Sequence, residues 1–550
     1  MRKTMNTQLS KLAALAVLTA TLLLVGAQIA AAQMTEASTT AQDILNESIF
    51  NNISRTLYVN PANSAASDQN AGTANEPLRT LGRAAEMAMS INRQNQGVRV
   101  LISAGVYRES FSLGSGGTNA PMVIEGVPGQ TIISGSDVWG GWQSQSGNIY
   151  THDWNYDWGL APIPSGWVSA GLNVSVPDII RRREMIFVNG RSLRQVLNRS
   201  ELGADTFYVD EGQNQVTISM ANALNISSAQ IEVATRGVVF RVTNRQNIAV
   251  RGLTVQHGTL TFAAQAYISD CNNILLENNA FQWSSDAGLQ FVRTNNIVSR
   301  NNTYSNNGGT GYSGSYLTNL LSENESATRN NWRGYQGNFM GWALAGVKHL
   351  YITNATYRNL SIRNNFTYGL WFDTRNRNLT VEGATITNNV KAGVYLEASM
   401  GPIAIRNSII ANNGNEGIRS ANVKNITLEN NIFYGNGTAQ IYFTGENSGR
   451  PSGGEWLWPA ENYILRNNII IAKNSTQPVI RSTLSSDVWA TFVNTLTSNT
   501  NTWYNLQTPS TFGVGSGRYL NLAGWQTTTN EDANSRFQNC LLYTSDAADE

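Results

Sequence analysis

The sequence predicts an all-β fold of the solenoid type, and three observations carry that prediction. Self-similar segments recur: Gly369-Leu-Trp-Phe-Asp373, Gly393-Val-Tyr-Leu-Glu397, Gly417-Ile-Arg-Ser-Ala421 and Gln440-Ile-Tyr-Phe-Thr444 start 24, 24 and 23 residues apart. Asn364, Asn388, Asn412 and Asn436 repeat in step with them. Between these columns lie short alternating runs, Leu379-Thr-Val381, Ile403-Ala-Ile405 and Ile426-Thr-Leu428, too short to hold a helical unit. A period in this range, built from period-2 strands and Asn/Gly turns, is a β-solenoid. Asn suits its corners because it tolerates left-handed backbone and its amide can bond the Asn one coil above. That corner role accounts for the sequons at Asn354, Asn378 and Asn425 without glycosylation.

Composition narrows the partners. The chain of 550 residues has 38 Lys+Arg against 37 Asp+Glu and only 14% charged residues, so it offers no basic field to nucleic acid or anionic lipid. Hydrophobic residues at 41% are too many for a disordered chain. The expected partner is therefore uncharged, or held by local chemistry.

Along the chain, Arg2, Lys3 and Lys11, the apolar stretch Leu12 to Ile29 and Ala30-Ala31-Ala32 have the layout of a secretory signal peptide over 1–32, cleaved near Gln33. This implies an extracellular or periplasmic protein with no membrane anchor after cleavage. Residues 33–54 read as a linker. Residues 55–139 read as a cap and first coils: a strand at Leu57, a long turn, a helix opened by Thr80 and filled with Ala and Met, then coils at Val98–Ile102 and Met122–Glu125. The helix is placed to cover the open end of the solenoid.

Residues 140–235 are Trp-rich and lack the repeat, with strand-like runs at Met185-Ile-Phe-Val188 and Thr206-Phe-Tyr-Val209; they read as an inserted β subdomain. The repeats occupy 236–475, followed by C-terminal coils and tail over 476–539. Cys540 to Glu550, CLLYTSDAADE, resembles a translated sequencing adapter, so 540–550 is expected to be a scar and the natural C-terminus to be missing. Cys271 is then the one remaining thiol, which excludes a disulfide scaffold and a Cys/His zinc site.

Tyr58-Val-Asn, Gly72-Thr, Pro77, Thr80-Leu81 and the following helix resemble the N-terminal signature of secreted bacterial β-helix proteins of the pectate-lyase-like superfamily. Phe187-Val-Asn-Gly190, Asn331-Trp-Arg-Gly334 and the coils at Gly369 and Gly393 resemble one subgroup of that superfamily, which is similar in layout to β-helix glycoside hydrolases. The resemblance covers roughly 55 to 470. It implies a right-handed parallel β-helix with an N-terminal helical cap and an inserted β subdomain, acting on polysaccharide.

Register then selects residues. With Leu370, Phe372, Val394 and Leu396 inward, one outward column reads Val347, Trp371, Tyr395, Arg419, Tyr442, and the next reads His349, Asp373, Glu397, Ala421, Thr444. Parallel coils stack about 4.8 Å apart, so the Asp373 and Glu397 carboxylates are expected within roughly 5 Å, the spacing of retaining glycosidases. Each raises the other's pKa, so one can serve as acid while its neighbour stays ionised. Trp371 and Tyr395 offer faces for a sugar ring, with Arg419 and Tyr442 continuing the strip. Lys348 points inward by the same register and needs a partner such as Glu323 or Glu325, or an irregular strand. Trp332, Arg333 and Trp342 flank a Gly-rich loop, Gly334 to Gly341, placed to overhang the groove, and Asp286 is a further acid one coil earlier.

Three functions remain open. The first is hydrolysis by Asp373 and Glu397, needing no cofactor or metal. In the second, the two carboxylates hold Ca²⁺ while Lys348, His349 or Arg419 acts on the C5 proton of a uronate, which is lyase or epimerase chemistry. The third is a non-catalytic carbohydrate-binding or surface-adhesive solenoid. A monomer is expected in each.

Overall fold

The computed structural model describes residues 39–169, 175–445, 458–515 and 517–538. The signal segment and the 540–550 stretch lie outside these residues. The repeats wind into a right-handed parallel β-helix of three faces. On the first face Leu370 pairs with Val394, Val394 with Ile418 and Ile418 with Ile441. On the second Leu379 pairs with Ile403, and on the third Ile386 with Ile410, always in parallel. These columns point inward and form one continuous core with Val347, Phe372, Leu396 and Phe443.

The corners behave as Asn chemistry requires, with one shift of position. Asn364, Asn388 and Asn412 adopt φ of 57°, 57° and 54°, but Gly435, not Asn436, takes the fourth place at 63°. Asn436 belongs to the neighbouring buried ladder. There Asn365 donates to Asn389 (2.9 Å), Asn389 to Asn413 (2.9 Å) and Asn413 to Asn436 (3.0 Å).

Both ends of the helix are covered. Helix Leu81–Arg93 starts at Thr80, whose hydroxyl accepts from Arg83 N–H at 3.2 Å, and inserts Leu81, Ala84, Ala88 and Ile91 into the first coils. At the far end, helices Ser486–Thr495 and Leu522–Thr529 add Val488, Phe492 and Trp525 to the same core.

Residues 39–54, expected as a linker, instead form a strap laid along the outside of the second face. Leu45 and Phe50 pack on Val123, Ala249, Leu275 and Val298, and Glu47 makes a two-pronged ion pair with Arg300 (2.8 Å each). The physical reason is that these outward positions are themselves apolar and have to be covered.

The insert holds two small, mostly antiparallel sheets. One joins Ser136–Val138, Ile231–Ala234, Ile186–Val188 and Arg191–Ser192; the other is built around Ile149–Asp153, Thr206–Asp210 and Gln215–Ser219. Trp142, Trp154, Phe207 and Ile218 fill its own core. It is joined to the solenoid through Arg333, which is buried and donates to Gln195 Oε1 and the Glu184 carbonyl, both at 2.8 Å.

Candidate active site

The first face carries the candidate residues at the floor of a cleft of about 780 Å³. Its wall is made by Trp342, Phe339 and Leu344 of the loop after helix Trp332–Gln336, together with Trp167 and Ile180 of the insert. Lys348, Trp371, Asp373, Tyr395 and Glu397 line it.

The strand pairing corrects the expected columns at the coil of Ala345–Arg358. Lys348 aligns with Trp371, His349 with Phe372 and Leu350 with Asp373. That coil is 23 residues from the next, not 24, and a one-residue slip exchanges the two faces of a strand. Lys348 therefore points outward into the cleft. Glu323 and Glu325, the partners expected for an inward lysine, are otherwise engaged: Glu323 pairs with Arg358 at 2.9 Å, and Glu325 accepts from Ser299 and Ser322 inside the solenoid.

His349, expected beside the carboxylates, is fully buried in the core. Its Nδ1 meets the Tyr357 hydroxyl, its ring packs edge-on to Tyr312, and burial pushes its pKa down to about 3. It has no access to the cleft.

The two carboxylates stand on adjacent, in-register strands and are dressed differently. Asp373 Oδ2 lies 2.8 Å from Lys348 Nζ, and its other oxygen accepts from the Thr374 hydroxyl at 2.8 Å. Glu397 Oε2 accepts from Trp371 Nε1–H at 3.1 Å. Burial, and then the neighbouring Asp373 charge, raise the Glu397 pKa, only partly opposed by Lys348. Burial lowers the pKa of Lys348 itself, against the pull of Asp373 and Glu397.

Trp371 and Tyr395 stack on each other with centroids 5.0 Å apart, and Tyr368 packs at 5.1 Å and 5.2 Å from them. They are only 5% and 6% exposed, and Lys348 Nζ sits 3.0 Å above the Trp371 ring. This is a packed cluster that orients Lys348 and Glu397, not the open platform expected for a sugar ring. Arg419 and Tyr442 keep the predicted column but lie beyond the cleft lining. Arg419 sits over Tyr395, and Tyr442 is stacked beside Arg481 and bonded to Thr483.

Trp332 is likewise removed from the cleft. Its Nε1–H donates to Asn306 O at 2.9 Å, and its ring packs on Met185 and Phe187 in the joint with the insert. Arg333 and Trp342 do line the cleft, as does Asp286. Trp167, Phe262 and Tyr368 are lining residues that the repeat did not single out. Trp167 had a signal only in the Trp-rich insert.

The carboxylate pair is poorly suited to Ca²⁺, since Asp373 already faces an ammonium and Glu397 an indole N–H. Among the described residues no group of three or more His, Cys, Asp or Glu is arranged to hold a metal ion.

The family model described as the right handed beta helix region matches residues 237–403 and 336–470. No curated protein matches the chain. Among solved structures it is similar to XylC in complex with xylose, with 16% identity, 82% of this chain and 86% of that chain covered, and a TM-score of 0.61. It is also similar to a glycoside hydrolase (11%, 83% and 97%, 0.47) and to the A-module of Azotobacter vinelandii mannuronan C-5 epimerase AlgE6 (13%, 83% and 94%, 0.48). The likeness to XylC and the family model agree with the right-handed parallel β-helix seen here.

Proposed function

We propose that this right-handed parallel β-helix protein is a secreted glycoside hydrolase acting on an extracellular polysaccharide with retention of configuration. One observation carries the reading: two carboxylates on adjacent coils, one paired with an ammonium at 2.8 Å and the other raised in pKa by burial and by its neighbour. Adjacent parallel strands put their side chains about 5 Å apart, which fits a double displacement and leaves no room for a water between the carboxylates.

Asp373 is the nucleophile. Its carboxylate forms a bond to the anomeric carbon while the C1–O bond to the leaving sugar breaks and Glu397 transfers its proton to that oxygen. The resulting Glu397 carboxylate takes a proton from water, whose oxygen attacks the same carbon and releases Asp373. Lys348 holds Asp373 in place through its ammonium. Trp371 holds Glu397 through its indole N–H, and the Tyr395 hydroxyl bonds the same carboxyl.

The export segment supports secretion, and no helix among the described residues is long and apolar enough to cross a membrane. Similarity to XylC bound to xylose and to a glycoside hydrolase agrees with a sugar substrate without identifying it.

The test is incubation with a panel of plant and algal polysaccharides, reading both reducing ends and near-ultraviolet absorbance. New reducing ends without absorbance are expected. An absorbing unsaturated product that disappears with a chelator would replace hydrolysis by the calcium-assisted lyase reading. Binding without any product would leave a carbohydrate-binding or adhesive solenoid.

A further inference from the structure

The end of the cleft away from Glu397 has features that the two-carboxylate chemistry does not use. Trp167 of the insert, Phe262 at a coil corner and Trp342 of the overhanging loop meet there, with Trp167 5.1 Å from Phe262 and 6.2 Å from Trp342, both edge-on. All three are half-buried cleft-lining residues, unlike the covered Trp371 and Tyr395. Phe262 and Ala343 adopt φ of 58° and 61°, a region that a bulky side chain rarely enters, so the backbone holds this wall against local preference.

Below the aromatic wall stands Asp286. One of its oxygens accepts from Ala263 N–H at 2.8 Å. The other lies over Gly309, where a Cβ would fall 1.9 Å from it, so glycine is required to leave the carboxyl that place. Burial lifts the Asp286 pKa to about 7, against the Ala263 N–H and the Arg333 charge. Two neighbouring lining groups, Ser285 Oγ and Trp342 Nε1, are buried and have no hydrogen-bond partner in the protein. The cation of this region, Arg333, commits Nη1 to Gln195 and Nη2 to Glu184. The site therefore presents ring faces, a carboxyl, a hydroxyl and an indole N–H, with the unpartnered Arg333 Nε behind them, a set that suits sugar hydroxyls.

We propose that Trp167, Phe262 and Trp342, with Asp286 and Ser285, form a distal subsite for an uncharged sugar ring of the chain whose scissile bond lies at Asp373 and Glu397. The inference rests on reading the cleft as a sugar-binding groove. Through the paired strands Asp286 corresponds to Thr367, so it lies three coils and six strand positions from Asp373. At about 4.8 Å per coil and about 3.3 Å per residue the two are on the order of 20 Å apart. A mono- or disaccharide cannot span that length, and a chain of several rings can.

The test is calorimetric titration of the Glu397→Gln protein with neutral xylo-, cello- and manno-oligosaccharides from dimer to hexamer. In at least one series the hexamer should bind about tenfold or more tighter than the dimer, which corresponds to about 1.4 kcal/mol. Trp342→Ala and Asp286→Asn should each remove that gain while leaving dimer affinity unchanged, and Trp342→Phe should keep most of it. Phe262→Leu, which preserves apolar volume and removes the ring, serves if Trp342→Ala does not fold. Affinity independent of length, a gain that survives both substitutions, or binding by no member of any series overturns the subsite. Failure of the hydrolytic reading looks different: Glu397→Gln would cleave as fast as the parent while the length dependence persisted.

Discussion

Glu397→Gln is the substitution that isolates a transferable proton from everything else Glu397 does. The amide has the same shape, and its oxygen can still accept the Trp371 indole N–H now held at 3.1 Å, so the cluster beneath it has no reason to rearrange. What disappears is the acid. A positioned general acid contributes about 10²–10⁴-fold, so hydrolysis of an unactivated glycoside should fall by that factor, or about 3–5 kcal/mol on the barrier. A nitrophenyl glycoside, whose leaving group needs little protonation, should lose far less in its first step.

The pH profile adds a second signature. Burial and Asp373 raise the Glu397 pKa, so parent activity should decline as pH rises through that raised value, and the variant should lack this basic limb. The stability sign is opposite to that of an ordinary carboxylate. A pKa raised in the folded state gives stability that is full below the unfolded value of about 4.3 and lost as pH rises through the folded one. At pH 8 the variant should therefore melt no lower than the parent, and higher if repulsion with Asp373 is strong. The assays are kcat/KM against pH for both substrates and thermal unfolding at two pH values. Unchanged turnover of the unactivated substrate would refute the assignment of Glu397, and a basic limb retained in the variant would assign that limb to another group.

Lys348→Met should keep the fold, since the methionine stem can cover Trp371, yet lower kcat/KM by about 10²-fold because Asp373 loses its fixed cation; steady-state kinetics on the folded variant checks this. His349→Phe should leave activity intact but strand the Tyr357 hydroxyl at a cost of about 1–3 kcal/mol, and His349→Phe with Tyr357→Phe should recover most of it in urea unfolding. Because His349 is held near pKa 3, its contribution is full above about pH 6.5 and lost as pH falls, so that double variant should also lose less stability between pH 6 and 5, by about 1.4 kcal/mol per pH unit. Asn413→Leu leaves the Asn389 donors and the Ile386 carbonyl unpaired inside the ladder and should cost about 3–5 kcal/mol, measured the same way.

The period of the repeat made the solenoid and its inward columns legible, because every coil must bury one side of every strand. It was less informative about which side a given residue takes when a coil is one residue short. Between Ala345–Arg358 and Tyr368–Asp373 that single residue exchanged Lys348 and His349 between core and cleft. The same arithmetic moved Asn436 from the left-handed corner to the buried ladder. Asp373 and Glu397 were legible because they follow repeated Gly-led segments. The aromatic wall was not, since Trp167 comes from the insert and Phe262 from a corner between coils that no repeated column marks, and the two meet only through the tertiary fold. Trp332 was misread because an outward aromatic beside a glycine-rich loop has the same sequence signature whether it faces a groove or a joint.

The strap over 39–54 has a consequence for how the molecule comes apart. A bare solenoid is held by nearest neighbours, so its terminal coils can peel away one at a time. Here one peptide runs across strands from Val123 through Ala249, Leu275 and Val298, and the Thr39 carbonyl accepts from Arg358 at 2.7 Å further along the same face. Losing any one of these coils frays the strap's hold on all of them, so the coupling extends well past adjacent neighbours. The N-terminal half, including the coils that seat Asp286, is thereby made to open as one cooperative block.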